Sequence, residues 1–102
     1  MPLFVIHALD APGKLQTRLD TYDAHRAFLG EAAAHGVTIA ASGPLVSDDG
    51  ATPIGSLFLI EVGSIEEVER FNAQDPFALV GLWASVSVQR FDLRRGSVGS
   101  PK

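Results

Sequence analysis

Apolar residues recur along this chain at two spacings, one typical of strands and the other typical of helices. Leu3 to Leu9 and Ile54 to Val62 are mostly apolar and rich in strand-forming residues, which predicts two buried strands. Val37 to Ser42 predicts a strand between them that ends before Gly43. Trp83 to Leu93 is predicted to form the last strand, because its apolar and polar residues alternate.

A helical spacing runs from Leu15 to His35, and Gly36 supplies the expected stop at its end. On a helical wheel, Arg18 and His25 fall on the inward side of this segment and not on its solvated side. The pattern therefore predicts a first helix that carries two basic side chains toward the core.

A second helix is predicted to start at Ser64, because Ser64 and Glu67 have the spacing of a capping box. It ends before Pro76, since the residue before a proline is disfavoured in the α-helical conformation. Phe77 to Leu82 is expected to add a short helical turn. Between the second and third strands, Asp49-Gly50 has the chemistry of a hairpin loop.

The element order is therefore β-α-β-β-α-β, in one domain over residues 1–95 that is followed by a flexible tail over residues 96–102. Short connections and right-handed crossovers turn this order into an α+β fold of the ferredoxin-like type, a four-stranded antiparallel sheet with two helices on one face. The other face is left uncovered, yet the first and third strands are apolar on both faces. We therefore expect a homodimer that packs sheet to sheet.

The amino-acid composition argues against several kinds of partner and chemistry. Twelve acidic residues against eight Lys and Arg leave a net charge of −4, and no basic cluster exceeds Arg94-Arg95, so nucleic acid is not an expected partner. The chain has no cysteine and hence no disulfide or thiolate chemistry. No apolar run approaches the about 20 residues of a membrane span, and the start lacks the basic region of a signal peptide. We expect a cytoplasmic protein with no membrane partner.

Candidate chemistry centres on Asp75, which precedes Pro76 in a turn between Phe71 and Phe77. The two aromatic side chains are expected to fix this turn to the core, so that the carboxylate points in one direction. The three histidines, at positions 7, 25 and 35, do not have the spacing of metal ligands, so no metal is predicted.

A series of short motifs runs in a characteristic order over nearly the whole chain. They are Arg18 with His25 seven residues further on, Gly43-Pro44-Leu45, Asp49-Gly50, Gly55-Ser56, Phe71, Asp75-Pro76-Phe77 and Gly81. With these motifs in this order, the chain resembles the YCII-related (YciI-like) family of the dimeric α/β-barrel superfamily. The resemblance implies the fold and the homodimer that the hydrophobic pattern predicts.

The resemblance also implies an active site built from His25 and Asp75. A carboxylate that is hydrogen-bonded to one ring nitrogen fixes the tautomer of the imidazole, which then serves as a general acid or base. Arg18 matches a recurrent arginine that would bind a substrate carboxylate or enolate. Tyr22 stands where many members carry a second arginine, and Ser56 is a candidate substrate-binding hydroxyl.

Members of that family with assigned chemistry are dehydrochlorinases or isomerases of small oxygenated aromatics or lactones, without metal or organic cofactor. The expectation is therefore a cofactor-independent enzyme that transfers a proton in an elimination or isomerisation. The alternatives are a non-catalytic dimer that binds a small molecule, or a purely structural module. At the residue level, the alternatives are a His25 that bonds a backbone carbonyl and an Asp75 that bonds the amides of its own turn. Arg18 could instead extend to the surface and pair with Asp20 or a local Glu.

Overall fold

The computed structural model describes residues 1–97 and consists of one sheet and the helices that cover it. The strands are β1 (Leu3–Asp10), β2 (Thr38–Val46), β3 (Pro53–Glu61) and β4 (Trp83–Phe91). The helices are α1 (Leu15–Gly30), α2 (Ile65–Ala73) and the short α3 (Pro76–Leu79), and a 3₁₀ turn spans Ala32–His35. Within residues 1–97, no helix has the length and apolar content needed to cross a membrane. Most of the predicted tail, residues 98–102, lies outside the described residues.

The four strands are ordered β2-β3-β1-β4, and each neighbouring pair is antiparallel. This order is the ferredoxin-like arrangement, so the predicted fold is confirmed. Phe28 of α1 and Phe71 of α2 pack into one core with Phe4 of β1 and Ile60 of β3. Both long helices therefore cover the same face of the sheet, as predicted.

The core side of β1 is set by the alternation of its side chains. Phe4, Ile6 and Ala8 are buried, and Phe58 of β3 lies opposite Ile6. Asp10 ends the strand on this same side, where its side chain is 9% exposed. The alternation thus brings a carboxylate to the inner face of the sheet, next to α1.

The first helix differs from its prediction in length. It ends at Gly30, a poor helix former, and the chain continues to His35 as a 3₁₀ turn that is capped by Gly36 at φ 73°. The single helix predicted to reach His35 is therefore wrong in its last turn. Arg18 and His25 are buried, with 4% and 7% exposure, which confirms their inward placement.

The second strand is longer than predicted. The sequence pattern ended it before Gly43, whereas β2 continues to Val46 and pairs Gly43 and Pro44 with Leu57 and Ser56 of β3. A proline is compatible with β2 because this strand lies at the edge of the sheet, where one side of the backbone needs no partner. The extension brings Gly43 and Pro44 under α1.

The predicted hairpin loop and helix cap are both present. Gly50 adopts a positive φ of 77°, and Ser47 Oγ and the Ala51 amide donate hydrogen bonds to Asp49 Oδ1 at 2.6 and 3.0 Å. These bonds, with that of Ser47 the stronger cause, lower the pKa of the Asp49 carboxyl below its usual value. Ser64 Oγ accepts a hydrogen bond from the Glu67 amide at 3.3 Å and caps α2.

Candidate functional site

A cavity of about 460 Å³ opens between α1 and the β2–β3 hairpin. This volume lies in the range of about 300–1,000 Å³ that is usual for small-molecule sites. The second helix covers the same face but packs against β4, at the opposite edge of the sheet from β2. The β2–β3 half of the face is thus left open beneath α1. The wall is largely apolar with a few polar groups, and its residues are Arg18, Leu19, Tyr22, His25, Arg26, Leu29, Ser42, Gly43, Pro44, Pro53, Ser56 and Phe58.

His25 and Asp75 form a buried pair beside this cavity. Nδ1 of His25 lies 2.8 Å from Oδ1 of Asp75, which is 1% exposed. Because an ionised carboxylate only accepts hydrogen bonds, the pair places a proton on Nδ1. Nε2 has no hydrogen-bond partner among the described residues and is not fully buried. It is therefore the ring nitrogen that a molecule in the cavity can reach.

The position of Asp75 is fixed by the start of α3. Asp75 is the N-cap of this helix, Pro76 is its first residue, and Oδ1 accepts a second hydrogen bond from the Phe77 amide at 2.9 Å. The turn role considered as an alternative for Asp75 thus coexists with its pairing to His25. The Phe77 ring stacks on the imidazole, with centroids 4.0 Å apart and 14° between the planes. Carboxylate and ring together leave His25 little freedom to turn.

Arg18 is held by a carboxylate at the end of β1. Its Nε and Nη2 donate to the two oxygens of Asp10 at 2.7 and 2.8 Å, in a fork geometry. Asp20, the alternative partner predicted for Arg18, instead accepts a hydrogen bond from Gln16. Nη1 of Arg18 has no partner among residues 1–97 and is not fully buried. Because Arg18 lines the cavity, Nη1 is the guanidinium nitrogen that remains for a ligand.

Ser56 completes the Arg18 cluster from β3. Its Oγ accepts a hydrogen bond from Nη2 of Arg18 at 2.9 Å, and the residue is 3% exposed. Since this oxygen acts as an acceptor, its own hydroxyl proton is free for a further acceptor. The guanidinium carbon of Arg18 also lies 4.7 Å from the centre of the Phe77 ring. Phe77 therefore contacts both buried basic side chains.

Tyr22 and Arg26 lie one turn apart on α1 and line the cavity at its exposed side. The guanidinium carbon of Arg26 is 5.6 Å from the centre of the Tyr22 ring, within the range of a cation–π contact. Within the described part of the chain, no carboxylate forms an ion pair with Arg26.

The five predicted site residues occupy one region. Arg18, Tyr22, His25 and Ser56 line the cavity, and Asp75 stands directly behind His25. His7, Phe77 and Trp83 do not line the cavity. His7 is on β1 opposite Leu57, on the sheet face away from the helices, and Phe77 and Trp83 pack against each other behind the cavity wall.

Asp10 and Arg26 are site residues that the sequence pattern did not identify. For Asp10 a signal was present, because the alternation of β1 puts it on the side of Ile6 and Ala8, and an inward carboxylate requires a partner. For Arg26 the sequence held no such signal, because its place at the cavity depends on where β2 packs relative to α1. Among residues 1–97, no three His, Asp or Glu side chains converge as a metal site would require.

A model of the YCII-related domain family matches residues 2–92. Among solved structures, 5-chloro-2-hydroxyhydroquinone dehydrochlorinase (TftG) from Burkholderia phenoliruptrix AC1100, in complex with 2,5-dihydroxybenzoquinone, is similar to this chain at 37% identity and a TM-score of 0.78. That match covers 88% of this chain and 93% of the dehydrochlorinase. No curated protein matches the chain closely enough to support an inference.

Two further structures share the fold at low identity. Protein At3g17210 from Arabidopsis thaliana is 18% identical with a TM-score of 0.54, over 95% of this chain and 99% of that one. An antibiotic biosynthesis monooxygenase is 14% identical with a TM-score of 0.57, over 93% and 100%. At these identities the likeness shows the fold alone.

Proposed function

Because the chain belongs to the YCII-related domain family, we propose that it is a cofactor-independent enzyme that transfers a proton on a small oxygenated aromatic or lactone-like compound. The observation that carries the proposal is the buried His25–Asp75 pair beside the cavity, with Nε2 of His25 left open. The similarity to a dehydrochlorinase of a hydroxyhydroquinone, bound there to 2,5-dihydroxybenzoquinone, supports this substrate class. The reaction is an elimination or an isomerisation.

His25 is the proton-transfer group in this proposal. In an elimination, the carbon that bears the leaving group is sp³, as in the keto tautomer of a chlorinated phenol. From this tautomer Nε2 takes the proton of an O–H or C–H bond, and the electron pair of that bond forms the new π bond. The leaving group, chloride in a dehydrochlorination, departs with the electron pair of its own bond. The proton passes from Nε2 to solvent, or returns to another substrate atom in an isomerisation. Asp75 orients the ring and stabilises the imidazolium that forms in between.

Arg18 and Ser56 supply donors for the negative charge that develops on a substrate oxygen. Nη1 of Arg18 and the hydroxyl proton of Ser56 are both without a partner among the described residues. Asp10 holds the guanidinium in a fixed orientation. Donors that are fixed before the reaction stabilise such charge without a cost of reorganisation.

We propose further that the working form is a homodimer in the cytoplasm, as predicted from the sequence. The sheet face away from the helices carries Leu3 and Val5 of β1, with Val5 opposite Leu59 of β3, in the two central strands. No described element of the chain covers these side chains, and an apolar face of this kind is typical of an interface.

The experiment that tests the function is a turnover assay with His25→Gln. Chlorinated hydroxyhydroquinones, other phenols and aryl lactones would be offered to the unaltered protein, with chloride release and ultraviolet absorbance as readouts. On any compound that is turned over, we expect His25→Gln to lower kcat by roughly 10²- to 10⁴-fold. Asp75→Asn is expected to lower it less, because the ring keeps its place while an amide stabilises the imidazolium poorly.

His35→Gln is the matched control, since His35 lies in the 3₁₀ turn outside the cavity, and it should retain kcat. Undiminished turnover by His25→Gln would reject the catalytic function. If the unaltered protein binds compounds of this panel in the cavity but converts none of them, the binding or accessory function replaces the enzymatic one.

A further inference from the structure

The cavity is basic although the chain is acidic. The basic residues in its wall are Arg18, His25 and Arg26, and no Asp or Glu lines it. The chain as a whole has a net charge of −4, so its carboxylates lie elsewhere or behind the basic groups. A wall that carries one sign of charge over a largely apolar surface raises the local concentration of the opposite sign.

Two of the three basic groups are each held by a carboxylate. Asp10 pairs with Arg18 and cancels its charge, and Asp75 pairs with His25, which is neutral until Nε2 takes the substrate proton. Arg26 differs, because no described carboxylate lies within ion-pair distance of it. Its guanidinium lies against the Tyr22 ring instead. Arg26 therefore contributes the uncompensated charge of the wall.

We propose that the cavity takes its ligand as an anion, a phenolate, enolate or carboxylate, and that Arg26 selects for this charge. The inference rests on the proposed function for the identity of the site, and it adds the charge of the substrate and the residue that recognises it. A guanidinium against an aromatic face presents its planar donors in a restricted set of orientations. Arg26 lies at the exposed side of the cavity, so it acts on binding, while His25 transfers the proton.

The test compares two probes of similar shape and different charge. 2,5-Dihydroxybenzoquinone is a vinylogous acid that is ionised at neutral pH, and 2,5-diaminobenzoquinone is its neutral counterpart. By isothermal titration calorimetry, we expect the unaltered protein to bind the anion more tightly. Arg26→Gln should weaken binding of the anion by roughly three- to tenfold and that of the neutral probe by less than about twofold, because the lost contact is a partly screened charge interaction.

Two matched variants and a salt series sharpen the test. Arg70→Gln removes an exposed arginine of α2 outside the cavity and should leave both affinities unchanged. Arg26→Lys keeps the charge without the planar donors, so it should recover part of the affinity for the anion and keep the preference over the neutral probe. Raising the ionic strength from about 0.01 M to about 0.15 M shortens the Debye length from about 30 Å to about 8 Å. It should therefore weaken anion binding more in the unaltered protein than in Arg26→Gln.

Several results would overturn the inference: equal weakening of both probes by Arg26→Gln, weakening of neither, or an unaltered protein that fails to prefer the anion. None of these readouts requires turnover, so they are separable from the test of the proposed function. A His25→Gln protein that stays active would reject the proposed reaction and leave the charge preference intact. A protein that is active but binds both probes equally would reject the charge preference and leave the proposed reaction intact.

Discussion

Two buried basic side chains on one face set α1 apart from an ordinary amphipathic helix. Arg18 and His25 occupy positions where apolar residues are the rule, and each is accommodated by a carboxylate from another element, Asp10 and Asp75. Such pairs contribute little net stability compared with apolar residues of similar volume, but losing one partner leaves a buried charge unpaired. The buried pairs therefore do little for the stability of the fold, but they give the site side chains with fixed orientations.

The Arg18–Asp10 pair allows a direct measurement of this cost. Asp10→Asn removes the charge that compensates Arg18 while one acceptor oxygen stays, so we expect the free energy of unfolding to fall by about 2–4 kcal/mol in urea titrations. The Arg94–Asp92 pair has a similar N–O distance, 2.8 Å against 2.7 Å, but its side chains are 82% and 74% exposed. Asp92→Asn should therefore cost less than about 1 kcal/mol. Similar losses in the two variants would contradict the assignment of the cost to burial.

At the scale of elements, the contact between β1 and β3 determines where the Ser56 hydroxyl lies. A Cβ atom added at Gly55 would come within 2.4 Å of the Ala8 carbonyl oxygen, which belongs to the backbone of the neighbouring strand. Because Ala8 is paired with Ser56, this close approach holds the strand that carries the hydroxyl. Tight packing of the two strands and the place of Ser56 in the cavity wall therefore occur together.

Gly55→Ala is expected to destabilise the protein, because the strands must separate to admit the methyl group. We expect a loss of about 1–3 kcal/mol in the free energy of unfolding, measured by thermal or urea denaturation. Gly43→Ala is the matched control in the adjacent strand, where nothing lies within 4 Å of the added Cβ and φ is not positive. That variant should stay within about 0.5 kcal/mol of the unaltered protein or gain slightly. A neutral Gly55→Ala would show that the backbone yields at this position.

The order and type of the elements followed from local signals that need no tertiary information. The capping residue Ser64, the proline after Asp75 and the apolar strand segments each act within a few residues. The extension of β2 through Gly43 and Pro44 did not follow, because pairing with β3 overrides a turn-like composition. The partner of Arg18 was missed for a similar reason: the predicted first strand ended at Leu9, whereas β1 continues to Asp10 and thereby places its side chain.

At the scale of the molecule, the sheet separates two functions. Its inner face bears the core and, beneath α1, the cavity with its paired basic side chains. Its outer face bears apolar residues on the central strands, with Val5 opposite Leu59 and His7 opposite Leu57, and polar Ser87 and Gln89 on the edge strand β4. Neighbouring residues of one strand point to opposite faces. A partner that packs on the outer face would therefore contact β1 and β3, the same strands that hold Asp10 and Ser56 on the inner face.

The proposed dimer follows from that outer face and can be tested without knowledge of the substrate. In sedimentation velocity we expect the unaltered protein to have twice the mass of one chain at micromolar concentration. Leu59→Glu places a charge in the centre of the proposed interface, where its desolvation opposes association, and should shift the protein toward monomer. Leu79→Glu is the matched control, since Leu79 is 72% exposed on α3, and it should leave the mass unchanged. A monomeric unaltered protein, or dissociation by both variants alike, would reject the sheet-to-sheet dimer.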